Sequence, residues 1–509
     1  MPVNRTRQTL HNSFWGFWER TIHLLFPFIL RTIIIKVLSI DYLGLNGLFV
    51  SILQVLNMAE LGFSSAITYS LYKPIAENDR PFMWAMMCLY RRIYKYIGYG
   101  IFTIGLVITP FIPYIIKGDV PDDINIYTLY WLYLANTSLS YLLFAYKQAL
   151  LDASQRRDLI SRTLTIVLSI QYILQIVVLL VFENYYIYYI LTPVCTCIFN
   201  ILLSRVTNKM YPDFQSSGTL PQSTLCDLKQ KIKGVVIGKV CMTSRNAISS
   251  IILSASFGLA TVGIYSNYFL ITTSIASIMG IVCTSMSASV GNSMVTESEE
   301  KNHQDFRLFT FMYAWLSSIV FSCLISLYQP FMRLWVGDEN MFPMPIVALF
   351  CLYFFVLTSG DIRTVYMNSK GLWWENRWRT ILESSSNVIL SLILLQWIGI
   401  SGVIVGPVLS LIIFNFFMST SIIYKYCFPH FSMVRYYMSY IAYFIVAASV
   451  GIMSYYVCSF TEFESKLVEL ITRGILSIVV SILLMLLIYH RYSYAKMSMF
   501  FLKRIFRHH

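Results

Sequence analysis

The chain has 509 residues, of which 57% are hydrophobic and only 12% charged, and its mean hydropathy is +0.63. A soluble protein of this length cannot hide so much apolar surface, so a water-soluble globular fold is excluded. The formal charge of +13 is explained by membrane insertion and anionic headgroups, and nucleic-acid binding is not needed to account for it.

In chain order, the first twenty residues, MPVNRTRQTLHNSFWGFWER, are polar and basic without a cleavage-site pattern, so the first long helix reads as an uncleaved anchor. About fourteen apolar runs long enough to cross a ~30 Å hydrocarbon core then follow one another. They cover 13–37, 44–71, 94–116, 126–150, 160–182, 185–204, 234–257, 261–294, 308–328, 344–368, 379–397, 401–424, 436–458 and 467–490. The pairs meeting at 182–185 and 397–401 predict helical hairpins with very short turns. Ten-residue strands of strict alternation are absent, which excludes a β-barrel. An even number of spans places both termini on one side. Most Lys and Arg fall at the termini and in the even-numbered loops, as in RRIYK at 91–95, RR at 156–157, KQKIK at 229–233 and KRIFR at 503–507. Odd loops carry acids instead, GDVPDD at 118–123 and GDE at 337–339, so both termini are predicted to be cytoplasmic. The ten cysteines lie mostly within spans. Cys195 and Cys197 form CxC, and small buried residues are the reading for them, with no metal site. No nucleotide-binding loop is present, so the chain is not expected to hydrolyse ATP or to be an enzyme.

The longest polar linker, 205–233, separates six runs from the next six. The predicted organisation is an N-terminal lobe over 1–204, a cytoplasmic linker over 205–233, a C-terminal lobe over 234–425, and two further spans with a basic tail over 426–509. The first run of each half carries an arginine, Arg31 in FILRTIII and Arg245 in MTSRNAIS. Each is followed 16 to 18 residues later by a glycine at a helix start, Gly47 and Gly263. This weak similarity has the form of two parallel repeats with a substrate path between them.

A charge at the centre of a span costs ~2.5–3.5 kcal/mol on insertion scales, so it normally faces a cavity or a partner. The chain has several: Arg31, Glu60, Lys239, Arg245, Asp361 and Arg363, with Arg20 near the inner end of the first span. Asn57, Glu60 and Ser64 share one helix face, as do Lys239, Thr243, Asn246 and Ser250 with Arg245 at their flank. Stripes of this kind suit a wet pathway. At ~1.5 Å per residue Arg31 and Glu60 lie at different depths, so Arg20 is the better helical neighbour of Glu60 and Arg31 is left for another role. The plainer readings are a structural ion pair or cap for Glu60, snorkelling for Lys239, and structural roles for Asp361 and Arg363. Those two residues stand on different helix faces. Two arginines in a central cavity suit a pyrophosphate, whose oxygens accept bidentate guanidinium bonds. Arg31, Arg245, Lys239, Arg363, Asn57 and Asn246 are therefore the expected substrate contacts, and Glu60, Arg20 and Asp361 the expected gating or coupling groups. The many Tyr and Trp are expected mostly in interfacial belts.

The runs YLGLNGLF, MAELG, YSLYKPIAENDR and YRRIYKYIG, within 42–98, resemble the Wzx-type O-antigen and capsule repeat-unit flippases of the multidrug/oligosaccharidyl-lipid/polysaccharide (MOP) superfamily. LRTIIIKVLSIDYLGL and GLWWENRWRTILESSSNVILSLILLQWIGISGVIVGPVLS extend the resemblance over most of 13–430. It implies an all-α polytopic membrane protein with about 14 transmembrane helices: two six-helix lobes in a MATE-like V-shaped arrangement and two C-terminal helices. It also implies alternating-access transfer of an undecaprenyl-pyrophosphate-linked oligosaccharide across a bacterial cytoplasmic membrane. A proton or sodium gradient would drive transfer, no cofactor would be needed, and a polymerase and glycosyltransferases would be partners of a monomer. At 406–410 GPVLS stands where the family more often has a Gly-Thr pair, which predicts a bent helix.

Three rivals differ in class. A MATE-type drug exporter favours acidic, aromatic cavities, against which the intramembrane Lys and Arg count. A membrane glycosyltransferase or polymerase typically carries a long outer loop, and every outer loop here is short. A lipid-binding scaffold would tolerate neutralised cavity charges.

Overall fold

The computed structural model describes residues 5–57, 63–118, 120–215, 217–461, 463, 465–490, 492, 494 and 497. The elements formed are all helices. One compact unit, Met1–Ser266, holds α1 (Arg5–Val37), α2 (Ile40–Leu56), α3 (Phe63–Glu77), α4 (Arg80–Ile108), α5 (Ile112–Ile115), α6 (Ile126–Leu142), α7 (Gln148–Ala153), α8 (Arg157–Phe182), α9 (Tyr185–Met210), α10 (Gln222–Phe257) and the start of α11 (Leu259–Thr296). The other, Asn267–His509, continues α11 and adds α12 (Glu299–Val336), α13 (Met344–Thr358), α14 (Asp361–Lys370), α15 (Arg377–Ile398), α16 (Ile400–Ser410), a π-helical segment Leu411–Met418, α17 (Ser419–Tyr426), α18 (Met433–Ser459) and α19 (Lys466–Tyr489).

Among the described residues ten helices are long and apolar enough to cross a membrane, and α2 is a shorter apolar helix. The expected fourteen spans thus become ten plus shorter helices among the described residues. The run 13–37 forms the long α1 but carries Arg20, Arg31 and Lys36. The run 44–71 is shared between α2 and α3, with 58–62 outside the described residues. The run 126–150 breaks where Phe144 takes a left-handed conformation (φ 54°) and a 3-10 turn, Ala145–Lys147, leads into α7. The run 234–257 lies in α10, which also carries lysines and Arg245.

Local chemistry sets the helix starts. Asp79, Asn125 and Asn184 accept from the backbone N–H three residues on, closing the first turns of α4, α6 and α9. The two tight hairpins form as expected: Glu183, with φ 48°, ends α8, and Gly399, with φ 61°, turns α15 into α16. Only glycine adopts the latter conformation without strain.

In lipid there is no hydrophobic drive between helices, so close packing of small residues replaces it. A Cβ at Gly44 would lie 2.1 Å from the Leu259 carbonyl oxygen, and one at Gly263 would lie 2.5 Å from that of Ile40. Gly44 and Gly263 therefore let α2 meet the first turns of α11 backbone to backbone. In the second unit Gly406 approaches Ser391 across the α15–α16 hairpin, and Gly451 of α18 seats against Phe321 of α12. Ser454 donates to Ser477 Oγ at 3.1 Å, tying α18 to α19. The last two spans thus pack on α12 through small and hydroxyl side chains.

More than half of the 36 tyrosines are buried, which corrects the expectation of belts. Their hydroxyls find partners inside, as between Tyr133 and Tyr185 at 3.1 Å and between Tyr328 and Thr272 at 2.7 Å. Tryptophans keep to the surface more often: Trp18, Trp131, Trp373, Trp374, Trp378 and Trp397 are exposed. Replacement Gly44→Ala is expected to lower folded yield and thermal midpoint, the overpacking costing ~1–3 kcal/mol. Gly100→Ala, where a Cβ meets open space, should leave both unchanged or slightly raised; fluorescence-detected gel filtration after heating measures both.

Candidate functional site

The intramembrane charges divide between the two units. In the first, the break after α6 places Lys147 inside the protein. Its side chain is 4% exposed, and its Nζ donates to Ser204 Oγ and Asn208 Oδ1 of α9, both at 2.7 Å. The ammonium also faces the rings of Phe144 and Phe214, each 5.2 Å away. Arg31 is half-buried on α1. Its Nη1 donates to Ser266 Oγ at 2.9 Å, and Ser266 in turn donates to the Gly263 carbonyl at 2.8 Å. The phenols of Tyr185 and Tyr188 lie within electrostatic reach of the guanidinium. Those phenols belong to an aromatic cluster in which Tyr42 packs on Tyr185 and Tyr133 stacks on Tyr189 at 3.6 Å. At its edge Tyr42 donates to Asp123.

The other first-unit candidates are distributed as follows. Arg245 is half-buried on α10. Asn57 ends α2, and its Oδ1 is buried with no hydrogen-bond partner among the described residues. Arg20 is exposed on α1. Glu60 lies outside the described residues, and so do the side chains of Ser64, Lys239 and Asn246. Arg31 and Arg245, expected at corresponding places in two lobes, both belong to the unit Met1–Ser266.

The second unit contains a buried polar chain. Arg363 is fully buried; it donates to Tyr436 Oη at 3.2 Å and to Ser359 Oγ and Asn415 Oδ1 at 3.4 Å. Its guanidinium packs over Phe416, 5.1 Å from the ring centre. Asn415, on the π-helical segment, passes its amide N–H to Glu383 Oε2 at 3.4 Å. Glu383 is paired with Arg379 one turn earlier on α15, and both are about nine-tenths buried. Asn415 reaches this position because Gly360, at the break between α13 and α14, has no Cβ; one would stand 2.5 Å from Asn415 Oδ1. Asp361 begins α14 and accepts from Tyr313 Oη at 2.5 Å, away from the Arg363 partners. Proline in GPVLS lies in α16, directly ahead of the π-helical segment. Among the described residues no group of three or more His, Cys, Asp or Glu could hold a metal.

Sequence reasoning passed over Lys147, Arg379, Glu383 and Asn415. A signal existed for the charged three. Lys147 interrupts an apolar run, and Arg379 and Glu383 stand four apart, where helical side chains meet. Asn415 carried none, because its role depends on the π-helical segment.

No family model matches the sequence, and no curated protein matches it. Solved structures do. The chain is similar to the lipid II flippase MurJ in an inward closed conformation, over 94% of this chain and 98% of that one, with a TM-score of 0.68 and 14% identity. The chain shares the fold of that flippase. It is also similar to an inward-facing MATE-family multidrug resistance transporter of the MOP superfamily, over 78% of this chain and 92% of that one, at TM-score 0.60 and 13% identity. A MATE transporter from Vibrio cholerae covers 82% of this chain, with 97% of its own length matched, at TM-score 0.54 and 14% identity. The protein is therefore a multi-pass α-helical membrane protein whose fold is shared with these three structures. Removing one partner of a buried ion pair costs ~3–5 kcal/mol, and replacing both by apolar groups is often neutral. Glu383→Ala is accordingly expected to sharply lower the thermal midpoint in detergent, and Glu383→Ala with Arg379→Met to regain most of the loss.

Proposed function

We propose that this chain is a flippase. It moves an undecaprenyl-pyrophosphate-linked oligosaccharide repeat unit from the inner to the outer leaflet of a bacterial cytoplasmic membrane by alternating access, with both termini cytoplasmic. The product supplies synthesis of O-antigen, capsule or exopolysaccharide. The observation that carries this reading is the extent of the match. The MATE transporters leave about a fifth of this chain without a counterpart although they are themselves almost fully covered. The lipid II flippase matches nearly end to end, over 94% of this chain and 98% of its own. Buried cations support the reading against a drug exporter, since Lys147 and Arg363 are met largely by neutral acceptors and aromatic faces, which leave their positive field in place for an anion.

In this reading Arg31 and Arg245 contact the pyrophosphate, with Lys239, Arg363, Asn57 and Asn246 as further substrate groups. Glu60, Arg20 and Asp361 bias one conformational state, and a proton or sodium gradient acts through such groups. The polymerase and glycosyltransferases of the same synthesis are the partners.

The test is outward movement of an undecaprenyl-pyrophosphate-linked oligosaccharide in proteoliposomes, read by glycosidase access from the compartment standing for the cell exterior. The native chain is expected to translocate, and Arg31→Ala with Arg245→Ala to lose at least tenfold while staying folded. Absence of native movement across several sugar compositions would overturn the flippase. Full activity in the double variant would keep the flippase and discard the arginine site.

A further inference from the structure

Between α14 and α15 the chain reads KGLWWENRW over 370–378. Helix α14 ends in a left-handed glycine, Gly371, at φ 73°. The Leu372 N–H then bonds back to the Met367 carbonyl at 3.0 Å. This glycine-capped ending folds the following apolar residue onto the helix it terminates, and Leu372 is indeed buried. With Leu372 turned in, the next two residues turn out. Trp373, Trp374 and Trp378 are each more than half exposed. Arg377 lies between them, its guanidinium 4.0 Å from the centre of the Trp374 ring and 6.0 Å from that of Trp378. Lys370 is exposed at the same edge. Every ion pair present includes neither Arg377 nor Lys370, so among the described residues both charges stand without a carboxylate.

Depth can be read from the same helix. Trp378 opens α15 and Trp397, 79% exposed, closes it. The 19 residues between them span about 28 Å at 1.5 Å per residue, close to the ~30 Å hydrocarbon thickness. Indoles prefer the headgroup level at both faces of a bilayer. The two tryptophan positions therefore bracket the membrane, and the loop 370–378 stands at one headgroup layer. The two ends differ in charge, however. Near Trp397 the sequence LQWIGIS carries none, whereas Trp378 is accompanied by Lys370 and Arg377.

We propose that Trp373, Trp374, Trp378, Arg377 and Lys370 form a binding plate for the headgroup of an anionic phospholipid. The indoles seat at the level of the glycerol and upper acyl chains. Arg377, held in orientation by stacking and by its bond to the Trp374 carbonyl, presents its remaining donors to the lipid phosphate, and Lys370 adds a second cation. Such cations contribute about fivefold each in affinity for an anionic surface. The plate lies on the segment that leads into Arg379 and Glu383, so an occupied plate fixes the start of the helix that carries the buried polar chain. This site does not depend on what the protein transports.

The test uses the full chain in nanodiscs of phosphatidylcholine containing a minor fraction of dibrominated phosphatidylglycerol or, in parallel, dibrominated phosphatidylcholine, with quenching of tryptophan fluorescence as readout. The native chain should be quenched more by the anionic lipid. That excess should vanish in Trp373→Phe/Trp374→Phe/Trp378→Phe and persist in Trp397→Phe. Arg377→Gln with Lys370→Gln should cut the relative affinity for the anionic lipid at least tenfold, and Arg377→Lys should retain more of it than Arg377→Gln. Equal quenching by the two lipids would overturn the site and leave an ordinary aromatic belt. So would an excess indifferent to Arg377→Gln/Lys370→Gln. Displacement of the excess by free pyrophosphate would overturn the lipid as ligand and mark the plate as a site for a soluble phosphate.

Discussion

The structure depends on how charge is held where water is absent. An ion taken from water into hydrocarbon loses solvation that only the protein can replace, and an unpaired one is far costlier than any single packing contact. Two solutions occur. In α15 a carboxylate and a guanidinium one turn apart neutralise each other, and Asn415 relays the remaining bonding capacity of Glu383 to Arg363. At Lys147 the ammonium is met by a hydroxyl, an amide oxygen and two ring faces, none of which carries a formal charge. Both solutions satisfy hydrogen bonding. The Arg379–Glu383 pair cancels its own field, whereas Lys147 and Arg363 keep theirs.

Each solution required the backbone to depart from a regular helix. Lys147 points inward because α6 stops at a left-handed Phe144, and the chain resumes in a 3-10 turn. Asn415 meets Arg363 and Glu383 from a π-helical segment, opposite the break at Ser359 and Gly360. In a membrane, such irregular backbone is tolerated only where the protein itself covers the freed groups, and π-helical turns are frequent at functional sites. The irregular stretches and the buried charges therefore coincide for a physical reason. A side chain that must reach a particular interior point needs a helix whose register can be shifted locally.

This also explains what could be read from the sequence. Run length and composition report whether a segment can cross the bilayer, so the ten apolar spans and both tight hairpins were legible, the latter from the close spacing of the runs at 182–185 and 397–401. Charge dilutes the apolar signal in the runs bearing Arg31 and Lys239, and the run bearing Lys147 is cut short by the break at Phe144. The role of YLGLNGLF was visible only as a motif; its Gly44 gained meaning once Leu259 appeared as the backbone it admits. Phe144 was illegible, since nothing about a phenylalanine announces positive φ. Tyrosine misled for a related reason. A belt residue and a core residue share one chemistry, an apolar ring with one polar tip, and only the presence of an interior acceptor separates them.

A fold shared between drug exporters and a lipid-linked precursor flippase leaves cargo to be decided by the charges within it. A site for cations needs carboxylates whose field is uncancelled. Of the described carboxylates in the spans, Glu383 is closed by Arg379 and Glu469 by Arg473, while Asp361 accepts from the neutral phenol of Tyr313. Two buried cations likewise stand beside neutral groups: Arg363 has three neutral oxygens and two rings as its partners, and Lys147 has two neutral oxygens and two rings. Neutral dipoles stabilise a buried cation without removing its long-range attraction for an anion. Buried cations answered only by neutral dipoles therefore keep a positive field inside the protein, and under the flippase proposed above that field would attract the phosphate of the cargo.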